Sequence, residues 1–219
     1  MINFKKNTVI LEDGTKLKPC TSEELKEYYA QGCQILAHVR KEMKTLFPTK
    51  NHILVGCEIP LEIPLTDNIV FTGFIDTIIQ NTKTGEYFIY DYKTSSRGWF
   101  YEKKDPLKLQ QLLLYKKYYA KQLNIDESLI FVSFIILKRL INEQSEWATA
   151  RNRVNVFSPT QGKTSTKKAA KELQDFHETV FDVDGNVKLD NLKATPSAKA
   201  CKYCAFKDKP DLCPDSFYK

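Results

Sequence analysis

Two aspartates and a lysine stand where a buried sheet would carry apolar side chains. In GFIDTIIQNTKTGEYFIYDYKTS, residues 73–95, Asp76 lies in one apolar run and Asp91 and Lys93 lie in the next. The polar, glycine-containing break from Asn81 to Glu86 predicts a hairpin. Symmetric pairing about it sets Gln80 opposite Tyr87, Ile78 opposite Ile89 and Asp76 opposite Asp91. Directly opposed residues share a face, with Cβ atoms about 5 Å apart. Lys93, two residues beyond Asp91, joins that face. Opposed carboxylates raise each other's pKa unless a cation lies between them. Lys93 supplies part of that compensation, and a divalent metal such as Mg²⁺ would supply more. Such an ion polarises a phosphoryl oxygen and activates water, and a neighbouring lysine can orient or deprotonate that water. These are the parts of metal-assisted phosphodiester hydrolysis. A lone D-x-K is usually a solvated ion pair; the second acid in register sets this one apart.

The elements that must position these groups follow from pattern. Residues 1–19 predict a short hairpin around a D-G turn. Thr21 and Glu24 form a capping box, and Leu25, Tyr29, Gly32, Leu36, Val39, Met43 and Leu46 make an apolar stripe on a helix ending near Pro48. Strands are expected in HILVGCEIPLEI, NIVFTGFIDTIIQ and EYFIYDYKT. Asp105 and Pro106 open a second helix through LKLQQLLLYKKYYAKQL. SLIFVSFIILKRL reads as a buried strand and RVNVF as a further one, and helical spacing resumes over 165–181. That order predicts an α/β domain with a mixed central sheet flanked by helices, over 1–184, and a cysteine tail over 185–219.

Gly73-Phe74-Ile75-Asp76, then Asp91-Tyr92-Lys93, then Gln111-Leu112-Leu113-Leu114-Tyr115 resembles the PD-(D/E)xK nuclease superfamily, in particular its RecB-like exonuclease branch. The resemblance implies a restriction-endonuclease-like core and a Mg²⁺- or Mn²⁺-dependent nuclease acting on DNA. It implies that Asp76 and Asp91 bind metal, that Lys93 serves the attacking water, and that Gln111 and Tyr115 support the site and contact DNA. Gln111 and Tyr115, four apart, share a helix face on spacing alone. Glu58 matches an acid of the preceding strand in that branch. His38 matches its first-helix metal ligand, although Gly32 and His38 lie further apart than usual. An exonuclease working on ends or single strands is expected. A structure-specific endonuclease, an RNA-processing enzyme and a catalytically idle DNA-binding subunit remain open alternatives. No helicase motif is present, so unwinding would fall to a partner in recombination, repair or CRISPR-type processing. The small size suits a phage or mobile-element enzyme.

Cys201, Cys204 and Cys213 have metal-ligand spacing in the tail. The same resemblance supplies the fourth ligand, Cys20, and implies a 4Fe–4S iron–sulfur cluster, with zinc as the alternative on ligand type. The eight residues between Cys204 and Cys213 are more than is usual there. Cys33 and Cys57 are expected to be small core residues.

The net charge of +6 permits a polyanionic partner. Lysines at 108, 116, 117 and 121, the arginines at 151 and 153, and Trp99, Phe100 and Tyr101 amid Arg97, Lys103 and Lys104 offer cations and stacking surfaces for nucleic acid. Gly162-Lys163-Thr164 lacks the first glycine of a phosphate-binding loop, which argues against ATP. No apolar run reaches about 18 residues, so no membrane span is expected. The N-terminus has no signal-like apolar core, so an intracellular, cytoplasmic protein is expected, with its cysteines reduced, metal-bound or catalytic.

Overall fold

A five-stranded mixed sheet carries the Asp76 and Asp91 segments on adjacent strands. The computed structural model describes residues 9–10, 16–17, 20–100, 105–191 and 193–217. The first strands, β1 (Val9–Ile10) and β2 (Lys16–Leu17), pair antiparallel as expected of the N-terminal hairpin, while its D-G turn lies outside the described residues. The main sheet has the order β3 (His52–Pro64), β4 (Val70–Asn81), β5 (Tyr87–Ser95), β6 (Ile130–Lys138), β7 (Val154–Phe157). β4 and β5 are antiparallel, β5 and β6 parallel, and β6 and β7 antiparallel.

The parallel pair needs a crossover, and α3 (Pro106–Leu123) provides it. Asp105 accepts the Leu107 N–H at 3.2 Å, Pro106 fills the first turn, and Asn124 ends the helix at φ 54°. Leu112, Leu113, Tyr115 and Tyr119 are buried, and Tyr119 meets Tyr87 of β5 edge-on with ring centroids 5.9 Å apart. The other sheet face buries Ile79, Tyr90, Ile135 and Val154 against Val39, Leu46 and Phe47. β6, flanked on both faces, is apolar throughout its centre.

α1 (Ser22–Lys41) starts at the expected capping box: Thr21 Oγ1 accepts the Glu24 N–H at 3.1 Å and Glu24 accepts the Thr21 N–H at 2.7 Å. It ends earlier than expected, and α2 (Met43–Leu46) is a separate turn. Its apolar stripe is also rotated from the expected one. Gln31 and Ile35 are buried, whereas Tyr29 and Leu36 are 74% and 69% exposed. Cys33, on the face opposite Gln31 and Ile35, is exposed, and so is Cys57 on the edge strand β3; neither is a core residue.

The chain divides into two compact units, residues 1–63 with 71–169 and residues 64–70 with 170–219. The first holds the sheet just described and α4 (Ala148–Arg151), which the sequence did not announce. α5 (Lys163–Val180) fits the expected last helix and runs from the first unit into the second. In the second unit, Phe181 bridges Val187 around Gly185, whose φ is +84°. The Asn68 side-chain amide donates to Val183 O at 3.3 Å. α6 (Ala198–Cys201) opens a series of tight turns: Cys204 N–H donates to Cys201 O at 3.1 Å, Cys213 N–H to Lys209 O at 2.9 Å and Ser216 N–H to Cys213 O at 3.2 Å. No helix among the described residues is long and apolar enough to cross a membrane.

Candidate active site

The turn between β4 and β5 sets the register. Asn81 N–H donates to Glu86 O at 2.8 Å, Gly85 N–H to Asn81 O at 2.9 Å, and the Asn81 side chain accepts the Lys83 N–H at 2.9 Å. Gly85 supplies a φ of +74°, which a glycine adopts without strain. The ladder that follows pairs Gln80 with Tyr87, Ile78 with Ile89 and Thr77 with Tyr90, the register expected from the sequence. The paired ladder ends there, and Asp76 and Asp91 are the next residues along the two strands, near enough for the Asp76 charge to act on Asp91. Beyond the ladder the Asp76 carboxylate reaches the neighbouring strand, its Oδ2 accepting the Tyr92 N–H at 2.7 Å.

Asp91 is only 2% exposed. Lys93 Nζ stands 2.6 Å from its Oδ1, as an ion pair, yet that buried oxygen has no aligned hydrogen-bond donor among the described residues. Burial pushes the Asp91 carboxyl above the usual carboxylate range; Lys93 opposes the shift and the Asp76 charge adds to it. A buried carboxylate in this state gains from any further cation placed at its free lone pairs.

From Lys93 a chain of polar contacts crosses to α3. Lys93 Nζ donates to Gln111 Oε1 at 3.0 Å, Gln111 Nε2 donates to Tyr115 Oη at 3.0 Å, and Tyr115 Oη donates to Phe74 O at 3.0 Å. The chain therefore returns to β4 two residues before Asp76. Gly73 eases that closure: a Cβ there would stand 3.3 Å from the Tyr115 ring, which would have to give by a few tenths of an ångström. The Phe134 ring of β6 lies below Lys93, its centroid 5.8 Å from Nζ. On the opposite face, Tyr92 Oη and Thr77 Oγ1 are 3.2 Å apart, joining β4 to β5 behind the acids.

Asp76, Asp91, Lys93, Gln111 and Tyr115 are thus drawn together. Glu58 and His38 stand outside this hydrogen-bonded chain. Glu58 is exposed on β3 and holds φ 52°, an unusual left-handed conformation inside a strand. His38 is half-buried in the last turn of α1, where its carbonyl accepts the Glu42 N–H. Among the described residues no three His, Cys, Asp or Glu side chains converge as a ligand set.

The expected basic surface needs revision. Lys116 is buried, its Nζ donating to Ile130 O at 2.6 Å, and burial lowers its pKa. Lys138 is 1% exposed and donates to Thr149 O at 2.5 Å. Both lysines hold the fold together and face no solvent. Trp99 packs on Phe134 and lies under Lys108 at 5.1 Å, while Tyr101, Lys103 and Lys104 lie outside the described residues.

A family model described as the PD-(D/E)XK nuclease superfamily matches residues 15–213. A solved structure described as "Crystal structure of SSO0001" is similar over 89% of this chain and 75% of that one, at 16% identity and a TM-score of 0.35. No curated protein matches.

Proposed function

The chain belongs to the PD-(D/E)XK nuclease superfamily, and within it we propose a Mg²⁺- or Mn²⁺-dependent deoxyribonuclease of the RecB-like branch, an exonuclease acting on DNA ends or single strands. What carries the reading is the unbroken chain from the Asp76–Asp91 pair through Lys93 and Gln111 to Tyr115. The donor set suits a hard divalent cation. Two carboxylates lie close together, and the buried Asp91 Oδ1 meets the Lys93 ammonium at 2.6 Å without an aligned hydrogen bond. Asp76 and Asp91 would hold the ion, with Glu58 and His38 as accessory ligands. When bound, such an ion supplies Lewis acidity toward a phosphoryl oxygen and acidifies water.

The protein's own groups do the rest. Gln111 takes one N–H of Lys93 and Asp91 pairs with the ammonium, which leaves a donor for the attacking water. Gln111, anchored by Tyr115, fixes the lysine rotamer, and Tyr115 ties that helix to the strand bearing Asp76. The apolar wall of Phe134 keeps bulk water from the inner side of Lys93.

The test is an assay on end-labelled linear and covalently closed circular DNA with Mg²⁺, Mn²⁺ or EDTA. Metal-dependent loss of linear DNA alone is expected. Cleaved circles would favour a structure-specific endonuclease, and no cleavage of any DNA would overturn the nuclease reading. Any unwinding would come from a helicase or from a recombination or CRISPR partner.

For the cysteine tail the proposal is a 4Fe–4S cluster on Cys20, Cys201, Cys204 and Cys213, with a structural role. The thiolate donor type and the tight Cys201–Cys204 turn support it. Protein purified without oxygen is expected to be brown, with broad violet-edge absorbance lost in Cys201→Ser. A colourless, zinc-loaded protein would replace the cluster with zinc.

A further inference from the structure

Beyond Lys93 the chain gathers four arginines that no carboxylate among the described residues neutralises. Arg97 is exposed in the turn after β5. Arg139 follows β6; its N–H donates to Ser95 O at 3.1 Å, its Nη2 donates to Ser96 Oγ at 2.9 Å, and its guanidinium lies 4.8 Å from the Tyr28 ring centroid. Arg153 donates to Arg139 O at 2.7 Å and to Gln34 Oε1. Arg151 donates to Ser145 O at 2.6 Å and Glu146 O at 2.8 Å. Every acceptor in this set is a neutral oxygen. Among the described residues none of these guanidinium groups forms an ion pair with an Asp or Glu. Three of the four are thus held in place while keeping their charge for a ligand.

The connection from β6 to β7 is itself braced. Buried Lys138 donates to Thr149 O and Ala150 O, and Asn142 N–H donates to Ala150 O at 3.1 Å. At its outer end Trp147 is 75% exposed. Between this connection and the turn after β5 lies a cavity of ≈ 620 Å³, lined by Arg97, Leu140, Ile141, Asn142, Glu143 and Ala150. Ser95, which Arg139 contacts, is two residues past Lys93, about 7 Å along the strand.

We propose that residues 139–153 together with Arg97 form a platform for single-stranded DNA next to the hydrolytic site, with Trp147 stacking on a base and the arginines meeting consecutive phosphates. The inference rests on the nuclease reading of the hairpin. An exposed indole next to Arg151, whose guanidinium is held on the Ser145 and Glu146 carbonyls, suits unpaired bases, because every base offers a π-face and a duplex hides it. The cavity has room for a splayed nucleotide and lies within a nucleotide or two of Lys93.

The test measures binding of the full chain to a labelled 20-nucleotide oligothymidylate and to a duplex of equal length. Anisotropy is read in EDTA, so that nothing is cleaved. Trp147 and Arg97 are both exposed, so Trp147→Ala and Arg97→Ala should leave the melting temperature unchanged. Trp147→Ala is expected to weaken single-strand binding roughly 5- to 150-fold, the worth of one stacked base, and duplex binding much less. Arg97→Ala is expected to reduce the slope of log affinity against log salt by about 0.7. Unchanged single-strand affinity in both variants, or equal loss on duplex, overturns the platform. If the losses appear but wild type with Mg²⁺ or Mn²⁺ degrades no DNA, the platform stands and the nuclease reading fails. If wild type cleaves and both variants bind like wild type, the reverse holds.

Discussion

Asp91→Asn is expected to abolish cleavage and to make the metal-free protein more stable at neutral pH. The loss of activity should reach about three orders of magnitude, or roughly 4 kcal/mol of transition-state stabilisation, since the substitution removes one of two carboxylates that lie close together. The gain in stability follows from burial. Burial raises the Asp91 pKa in the folded state, against the pull of Lys93 and with the push of Asp76. The folded protein therefore holds this proton more tightly than the unfolded chain does. Stability falls as pH rises from the ordinary carboxylate value, about 3.9, to the raised folded value, and the deficit persists above that window. Asparagine keeps the shape and carries no charge, so it removes the deficit. Lys93, with its side chain 33% exposed, keeps Gln111 and water as partners. The melting temperature in EDTA at pH 7 should rise by about 2–4 °C, as for roughly 1 kcal/mol in a chain of this size. The difference should shrink toward pH 4. Thermal melts of both proteins across pH would decide it; a gap of the opposite sign, or one independent of pH, would show that Asp91 is not held at a cost.

What the sequence made legible was set by local chemistry. The Asn81–Glu86 turn bonds fix the β4–β5 register, so the ladder from Gln80 and Tyr87 to Thr77 and Tyr90, which ends one residue short of the two acids, could be placed from spacing alone. The Asp105–Pro106 start of α3 and its four-residue interval from Gln111 to Tyr115 were equally local. Features decided by tertiary packing were hidden. The buried stripe of α1 includes Gln31, a polar residue that no hydrophobic pattern selects, while Tyr29 and Leu36 face out. Lys116 looked like a surface cation, yet it ends on a backbone carbonyl inside the fold, as Lys138 also does, a fate that composition cannot distinguish from exposure. The part of Gly73 in the site was overlooked, although a glycine three residues before the aspartate was the available signal. The left-handed backbone at Glu58 carries no sequence mark, because Glu has no preference for it.

Lys93→Met should separate catalysis from metal binding. Lys93 Nζ lies 2.6 Å from Asp91 Oδ1, the same buried oxygen that a divalent ion would use. The ammonium is thus both a helper of the reaction and a rival for the ligand. Without it, Asp76 and Asp91 repel each other unscreened, and a metal ion gains more by entering between them. Methionine matches the length of the lysine stem and can rest on Phe134, so the apolar part of the site stays filled. Cleavage should fall by about 10²- to 10⁴-fold, the usual worth of a positioned proton-transfer group. Mn²⁺ affinity, read by calorimetry, should stay equal or tighten. Asp91→Asn should lose both together. Gln111→Ala should be milder than either, keeping metal affinity and losing part of the rate, because it frees the Lys93 rotamer without removing the amine. A Lys93→Met protein that binds Mn²⁺ as weakly as Asp91→Asn would mean that the lysine supports the metal site itself, and its assignment to the water would fall.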